Sequence, residues 1–245
     1  MNEFATGSDV RTGTEEVGHT HADVSGGALR ASVFGAMDGL VTNIALVAGV
    51  GAAGASPEFI VLAGLAGLVA GAFSTAMGEY ASVKTQNEQL DREWAKERDE
   101  IRAHPIAEER ELARMFTSLG MARSTAAVAA RDVHRDPEHA ALVHVTQELG
   151  LDPREKPSPR VAAVSSFITF STGALVPLLP YLLGFASLVA GLAVGGLGLL
   201  IAGALASLTT VTPWWRSALR QLAFGAIAAS ATYLVGLAMG ISVIG

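Results

Sequence analysis

Residues 59–103 read FIVLAGLAGLVAGAFSTAMGEYASVKTQNEQLDREWAKERDEIRA, an apolar run of membrane-spanning length that turns polar near Ser82 with no proline to break it. At 1.5 Å per helical residue these 45 residues make a rod of roughly 67 Å, of which a hydrocarbon core takes only about 30 Å. The stretch therefore predicts one helix that crosses a bilayer and projects some ~30 Å beyond it. It ends before Pro105, because a proline disfavours helix at the residue it follows.

The rest of the chain agrees with a membrane reading. Half of the 245 residues are hydrophobic, only 16% are charged and the mean hydropathy is +0.40, which is too apolar for a soluble domain of this length. Five apolar segments, near 31–52, 59–81, 161–180, 184–208 and 217–243, are long enough to span. Charge is concentrated elsewhere: 13 of the 17 Lys and Arg and 15 of the 23 Asp and Glu fall between Lys84 and Arg160. The predicted fold is an all-α membrane protein of five transmembrane helices, with a helical domain inserted between the second and third and the second span continuing into it. Its divisions are a disordered tail at 1–28, spans one and two at 29–83, the polar domain at 84–158, and spans three to five at 159–245.

Orientation follows from the short flanks. Arg11 and Arg30 precede the first span, the whole polar block lies between spans two and three, and Arg216 and Arg220 lie between four and five. The opposite connections, GAAGASPE at 51–58 and the corner from Pro177 to Pro180, have no Lys or Arg. The positive-inside rule then places the N-terminus and 84–158 domain in the cytoplasm and the C-terminus outside a cell membrane. The polar first 28 residues lack the basic start and apolar core of a cleaved signal peptide.

Several functions are excluded or disfavoured by composition. There are no cysteines, so disulfides, thiolate metal sites and cysteine nucleophiles are absent. A net charge of −6 and no basic patch with interleaved aromatics argue against a nucleic-acid partner. No Ser/His/Asp or phosphate-loop arrangement marks an enzyme.

Two groups of residues stand out. Within the first span, Asp38 is a carboxylate about two turns into an apolar helix, where insertion costs about 2.5–3.5 kcal/mol at the centre and normally marks a pathway or partner. Thr42 is one turn away on its face and Asn43 lies close by. On the second span, Glu79 lies 21 residues after Glu58, about 31 Å along the helix, so the two carboxylates sit at opposite boundaries. Met77 is a soft donor near Glu79. In the polar block, Glu97 and Glu100, then Glu108 and Glu111, are spaced three apart on successive helices. His104 and Met115 extend those faces by four residues, and His144 and Glu148 are again four apart on the last helix. Three short helices, about 106–118, one starting near Ser124 as N-cap, and one from Asp136 to Gly150, would let these faces converge into a cage suited to Mn²⁺ or Fe²⁺. The alternation of Glu and Arg is the usual mark of a solvated, ion-paired surface or a coiled coil, and spacing alone does not decide between that and a metal cage.

Four small-xxx-small pairs, Gly35 with Gly39, Gly67 with Gly71, Gly191 with Gly195 and Gly236 with Gly240, mark where helix backbones can approach closely.

The motifs FGAMDGLVTN at 34–43, GAFSTAMGEYASVK at 71–84 and ELGL at 148–151, in this order, resemble the vacuolar iron transporter family of divalent-metal/proton antiporters. The resemblance runs from about residue 30 to the end. It implies a five-span homodimer that moves cytosolic Fe²⁺, often also Mn²⁺, in exchange for protons, with no permanently bound cofactor and the metal itself as substrate and domain ligand. It further implies that Asp38 is the membrane metal/proton site, Glu79 lies at the cytoplasmic mouth, and Glu97, Glu100, Glu108, Glu111 and Glu148 bind metal in the polar domain. The chain departs from the family in two places: Thr75 stands where many relatives carry a methionine, and His144 with Val145 where relatives present methionines. Both remove soft donors and leave Mn²⁺ open beside Fe²⁺. A membrane-anchored metal-binding or scaffold protein without transport is the alternative.

Overall fold

The computed structural model describes residues 27–209 and 212–244; residues 1–26 of the N-terminal tail, Arg11 among them, lie outside these, and residues 27 and 28, read as its end, already belong to the first helix. The described chain is helical throughout: α1 (Gly27–Ala52), α2 (Pro57–Ala103), α3 (Pro105–Ser118), α4 (Arg123–Val133), α5 (Pro137–Leu149), α6 (Pro159–Leu175), a short α7 (Leu179–Leu182), α8 (Leu188–Ala206) and α9 (Trp214–Ile244). Five segments are long and apolar enough to cross a membrane, in α1, in α2, in α6 with α7, in α8 and in α9. Their outer faces present large apolar side chains such as Phe59, Leu62, Val69 and Phe73 to the surroundings, which a water-facing surface does not sustain over such an area.

Helix α2 is unbroken over 47 residues, about 70 Å at the usual rise. Ser56 caps its start by accepting the Phe59 N–H, Pro57 occupies the first turn where no N–H is needed, and Pro105 ends it at His104. Asp136, Ser158 and Ser187 cap α5, α6 and α8 in the same way. Gly150 closes α5 with φ +67°, the left-handed conformation that glycine adopts without strain.

Two expectations on boundaries are corrected. Helix α4 begins at Arg123 with Ala122 at the cap and no side-chain hydrogen bond, so Ser124 lies inside the first turn and does not cap it. Between the third and fourth spans, Pro177 and Pro180 do not make the corner. Each sits in the first turn of a short helix, where proline is tolerated, and the chain reverses at Gly184 with φ +87°. The fourth span accordingly starts at Leu188 instead of residue 184.

Helix α1 is the hub, packing on α2, α6, α8 and α9. Its closeness to α6 depends on glycine: a methyl group at Gly39 would overlap the Phe170 carbonyl, and one at Gly173 the Ala36 carbonyl. On the other side Gly236 of α9 meets the Gly49 carbonyl of α1 with the same lack of room. Such backbone contact replaces the hydrophobic drive that lipid does not supply.

Beyond its apolar part, α2 carries the α3–α5 unit. Leu112, Phe116, Ala126 and Ala130 join α3 to α4, and Ile101, Ala140 and Ala141 with Trp94 join α2 to α5. Arg98 and Arg102 both reach Glu138, at 2.8 and 3.4 Å, and Lys156 pairs with Asp91 to tie the 150–158 linker back to α2.

Candidate metal sites in the apolar bundle and the polar unit

The first site is a cavity of about 570 Å³ among α1, α2, α6 and α9, lined by Asp38, Thr75, Glu79, Arg30, Met37 and Gln221 with several apolar side chains. Thr42 donates to the Asp38 carboxylate at 3.4 Å, and Thr75, which lines the cavity, donates its hydroxyl proton to the Gly71 carbonyl at 2.9 Å. Arg30 lies 3.1 Å from Glu79, closing an ion pair across α1 and α2. Along α1, Asp38 is eight residues from Arg30, about 12 Å further from the polar end of α2. The arrangement is a carboxylate on an apolar span that faces an open cavity, with a second carboxylate held by an arginine nearer the polar unit.

Not every residue singled out in these spans joins the cavity. Asn43 is fully buried on another face, where its amide donates to the Gly64 carbonyl at 3.2 Å and the Ala174 carbonyl at 2.6 Å. It fastens α1 to α2 and α6. Met77 is 69% exposed on the outer face of α2 and does not line the cavity. Three lining residues escaped sequence reasoning. Met37 precedes Asp38 directly and accepts an N–H from Gln221 at 2.8 Å, Gln221 is a polar residue in an apolar span, and Arg30 finds Glu79 across 49 residues.

The second site is in the polar unit. Glu97 from α2, Glu108 from α3 and His144 from α5 bring one ligand atom each within 4.8 Å of one another. His144 has no exposed surface and Glu97 only 6%. His144 Nδ1 lies 2.9 Å from Glu97 Oε1 and 3.9 Å from Glu108 Oε2. The shorter approach lacks the alignment of a hydrogen bond, so both atoms are buried without a bonded partner, a costly state unless something else binds them.

Electrostatics point the same way. Burial, followed by the charges of Glu148, Glu108, Glu100 and Glu111, pushes the Glu97 carboxyl up to about 7. Burial and neighbouring carboxylates raise Glu108 and Glu148 as well. His144 is driven down to about 4 by burial and by His134 beside it. The pocket disfavours an unbalanced negative charge and an imidazolium alike, and a cation held by two carboxylates and a neutral imidazole relieves both.

The remaining predicted ligands are arranged around this trio. Glu100 and Glu111 are half-buried and pair weakly with Lys96 and Arg114, at 3.7 and 3.8 Å. Glu148 is exposed but close enough to act on Glu97. Met115 packs on the apolar α3–α4 cluster, and His104 is exposed at the end of α2, near enough to Glu108 to act on it. His134, at the end of α4, had no periodicity to betray it, yet its Nε2 is 3.1 Å from that of His144.

The VIT family model matches residues 29–237, a stretch that holds both sites. The chain is 32% identical to vacuolar iron transporter 1 of Arabidopsis thaliana over 222 residues, covering 88% of each chain. It is 33% identical to the vacuolar iron transporter of Centaurea cyanus over 227 residues, 90% of each, and 32% identical to vacuolar iron transporter 1 of Eucalyptus grandis over 222 residues, 88% of each. A match that takes in all five apolar segments and the polar unit between them establishes that this chain belongs to the VIT family.

Proposed function

We propose that the protein exports Fe²⁺, Mn²⁺ or both from the cytoplasm in exchange for protons, as a homodimer in the cell membrane. The N-terminus and the 84–158 domain face the cytoplasm and the C-terminus the outside. The names of its relatives support iron as cargo, and the oxygen and imidazole donors of the polar site suit Mn²⁺ as well, while the Met37 thioether lining the cavity adds one soft donor there. The observation that carries the reading is the cavity that links Asp38, inside an apolar span, to Glu79.

In this reading the polar unit captures the cation with Glu97, Glu108 and His144, and the surrounding Glu100, Glu111 and Glu148 raise the local cation concentration. The cation then displaces Arg30 from Glu79 and moves about 12 Å inward to Asp38. A lone carboxylate in low dielectric holds one partner at a time, so cation and proton alternate there: a proton arriving from outside neutralises Asp38 and releases the metal. A protein that only stores metal at a membrane has no use for a carboxylate-lined cavity within its spans.

The test is uptake by proteoliposomes under an imposed pH gradient, with Fe²⁺, Mn²⁺, Co²⁺ and Zn²⁺ in competition. Fe²⁺ and Mn²⁺ uptake should rise with the gradient and carry protons the opposite way. Metal flux indifferent to the gradient would remove the proton half of the proposal, and no flux of any ion would leave a binding protein.

A further inference from the structure

The two nitrogens of His144 face different partners, and with the polar site read as a metal cage, as proposed above, this sets a condition on how that site binds. Nδ1 looks into the carboxylates, while Nε2 lies 3.1 Å from Nε2 of His134. The two rings meet edge-on, with centroids 5.2 Å apart and planes at 76°. Two bare imidazole nitrogens at that distance repel and two N–H groups clash, so one proton lies between them.

Two neutral arrangements satisfy this. If His134 donates, His144 keeps its own proton on Nδ1, pointed at Glu97, and offers nothing to a cation. If His144 donates, its Nδ1 lone pair is bare and faces Glu97 and Glu108. Only the second makes His144 a ligand. Because His144 is fully buried, solvent does not stand in for His134 as acceptor. His134 is itself fixed, since its backbone N–H closes α4 onto the Ala130 carbonyl at 3.0 Å.

We propose that His134 is the positioning residue of the polar metal site, accepting the Nε2 proton of His144 and so committing Nδ1 to a divalent cation. It does not touch the metal. Its own proton then resides on Nδ1, and metal entry converts the pair from either arrangement to this one. The site thus spans four helices, α4 contributing through His134 although it supplies none of the three ligand atoms.

The experiment uses the full chain in detergent micelles, ¹⁵N-labelled at histidine, with Zn²⁺ as a diamagnetic probe. The His144 resonances are identified by their loss in His144→Gln. On adding Zn²⁺, His144 should show a coordinated Nδ1 and a protonated Nε2; coordination through Nε2, or a retained Nδ1 proton, overturns the proposal. In calorimetric titrations the His134→Leu variant, which has no acceptor, should bind Zn²⁺ about 10- to 100-fold more weakly, as loss of an outer partner typically does. His134→Gln, whose side-chain carbonyl still accepts, should stay within about threefold of wild type. In a His144→Gln background His134→Leu should cost nothing further. An equal loss in both backgrounds would make His134 a packing residue only, and no loss in either would remove its role. If wild-type protein takes up Zn²⁺ without moving His144 at all, the cage reading itself fails first.

Discussion

The membrane cavity and the polar cage are both built on carboxylates, yet they solve opposite problems. In the proposed cage, three candidate ligand atoms from α2, α3 and α5 converge within 4.8 Å, with Glu97 and His144 buried and Glu108 half-buried, Glu97 raised to about 7 and two atoms lacking bonded partners. In the cavity one unpaired carboxylate, Asp38, is accompanied by hydroxyls, an amide and the Met37 thioether, and the second carboxylate is already paired with Arg30. A convergent set holds an ion; a sparse one lets it leave. The difference suits the proposed exporter, which would concentrate a scarce cation and then not trap it.

The largest effect that would break this contrast lies in the cage. Glu97→Gln with Glu108→Gln keeps the side-chain volumes but removes two of three ligands, and metal affinity of the polar unit should fall at least about 100-fold, near 3 kcal/mol. Flux at saturating metal should stay within about threefold of wild type. Unchanged calorimetry would return the block to an ion-paired surface.

A second effect is about tenfold. Metal must displace the proton from Glu97, so cage affinity should drop by roughly one order of magnitude per pH unit below 7. Stability carries the matching sign. Glu97 is raised in the fold, so its contribution is full below about 4.5 and lost as pH rises through about 7. His144 is depressed, so its contribution is present above 6.5 and lost as pH falls toward 4. Metal relieves the loss from Glu97 above neutrality, and the increase in melting temperature on adding Mn²⁺ should be larger at pH 8 than at pH 6. The reverse order would contradict the raised carboxyl.

Smaller effects sharpen the cavity side. Arg30→Gln frees Glu79 from its built-in cation and should raise uptake at low metal by about two- to fivefold, with little change at saturation; slower uptake would make Arg30 structural. Met77→Leu should alter flux and ion preference by less than about twofold, because its thioether is on the outer face of α2. A marked loss of Fe²⁺ preference would show that this face meets the pathway after all.

Much of this was legible in the sequence, and the misses have physical reasons. The unbroken α2 followed from an absent proline, and the five apolar segments from length alone. The i, i+3 spacing of Glu97 with Glu100 and of Glu108 with Glu111, and the i, i+4 spacing of His144 with Glu148, singled out all three converging residues because helix faces are local properties. His134 was invisible because its role depends on how α4 meets α5, which no periodicity encodes. Arg30 was read only as a topology signal, since its partner Glu79 is 49 residues away. Asn43 shared the oxygen-rich look of Thr42, but a one-residue step turns it by about 100° toward α2 and α6, where backbone carbonyls consume its amide. The Pro177–Pro180 corner failed because proline breaks a helix interior and not a first turn.

The most direct test of the division between holding and passing measures both regions in one variant. Asp38→Asn, reconstituted in liposomes and titrated in parallel by calorimetry, should lose metal-driven proton flux to background while the polar unit binds Mn²⁺ as tightly as wild type. Flux that persists at wild-type rates in Asp38→Asn would contradict the account.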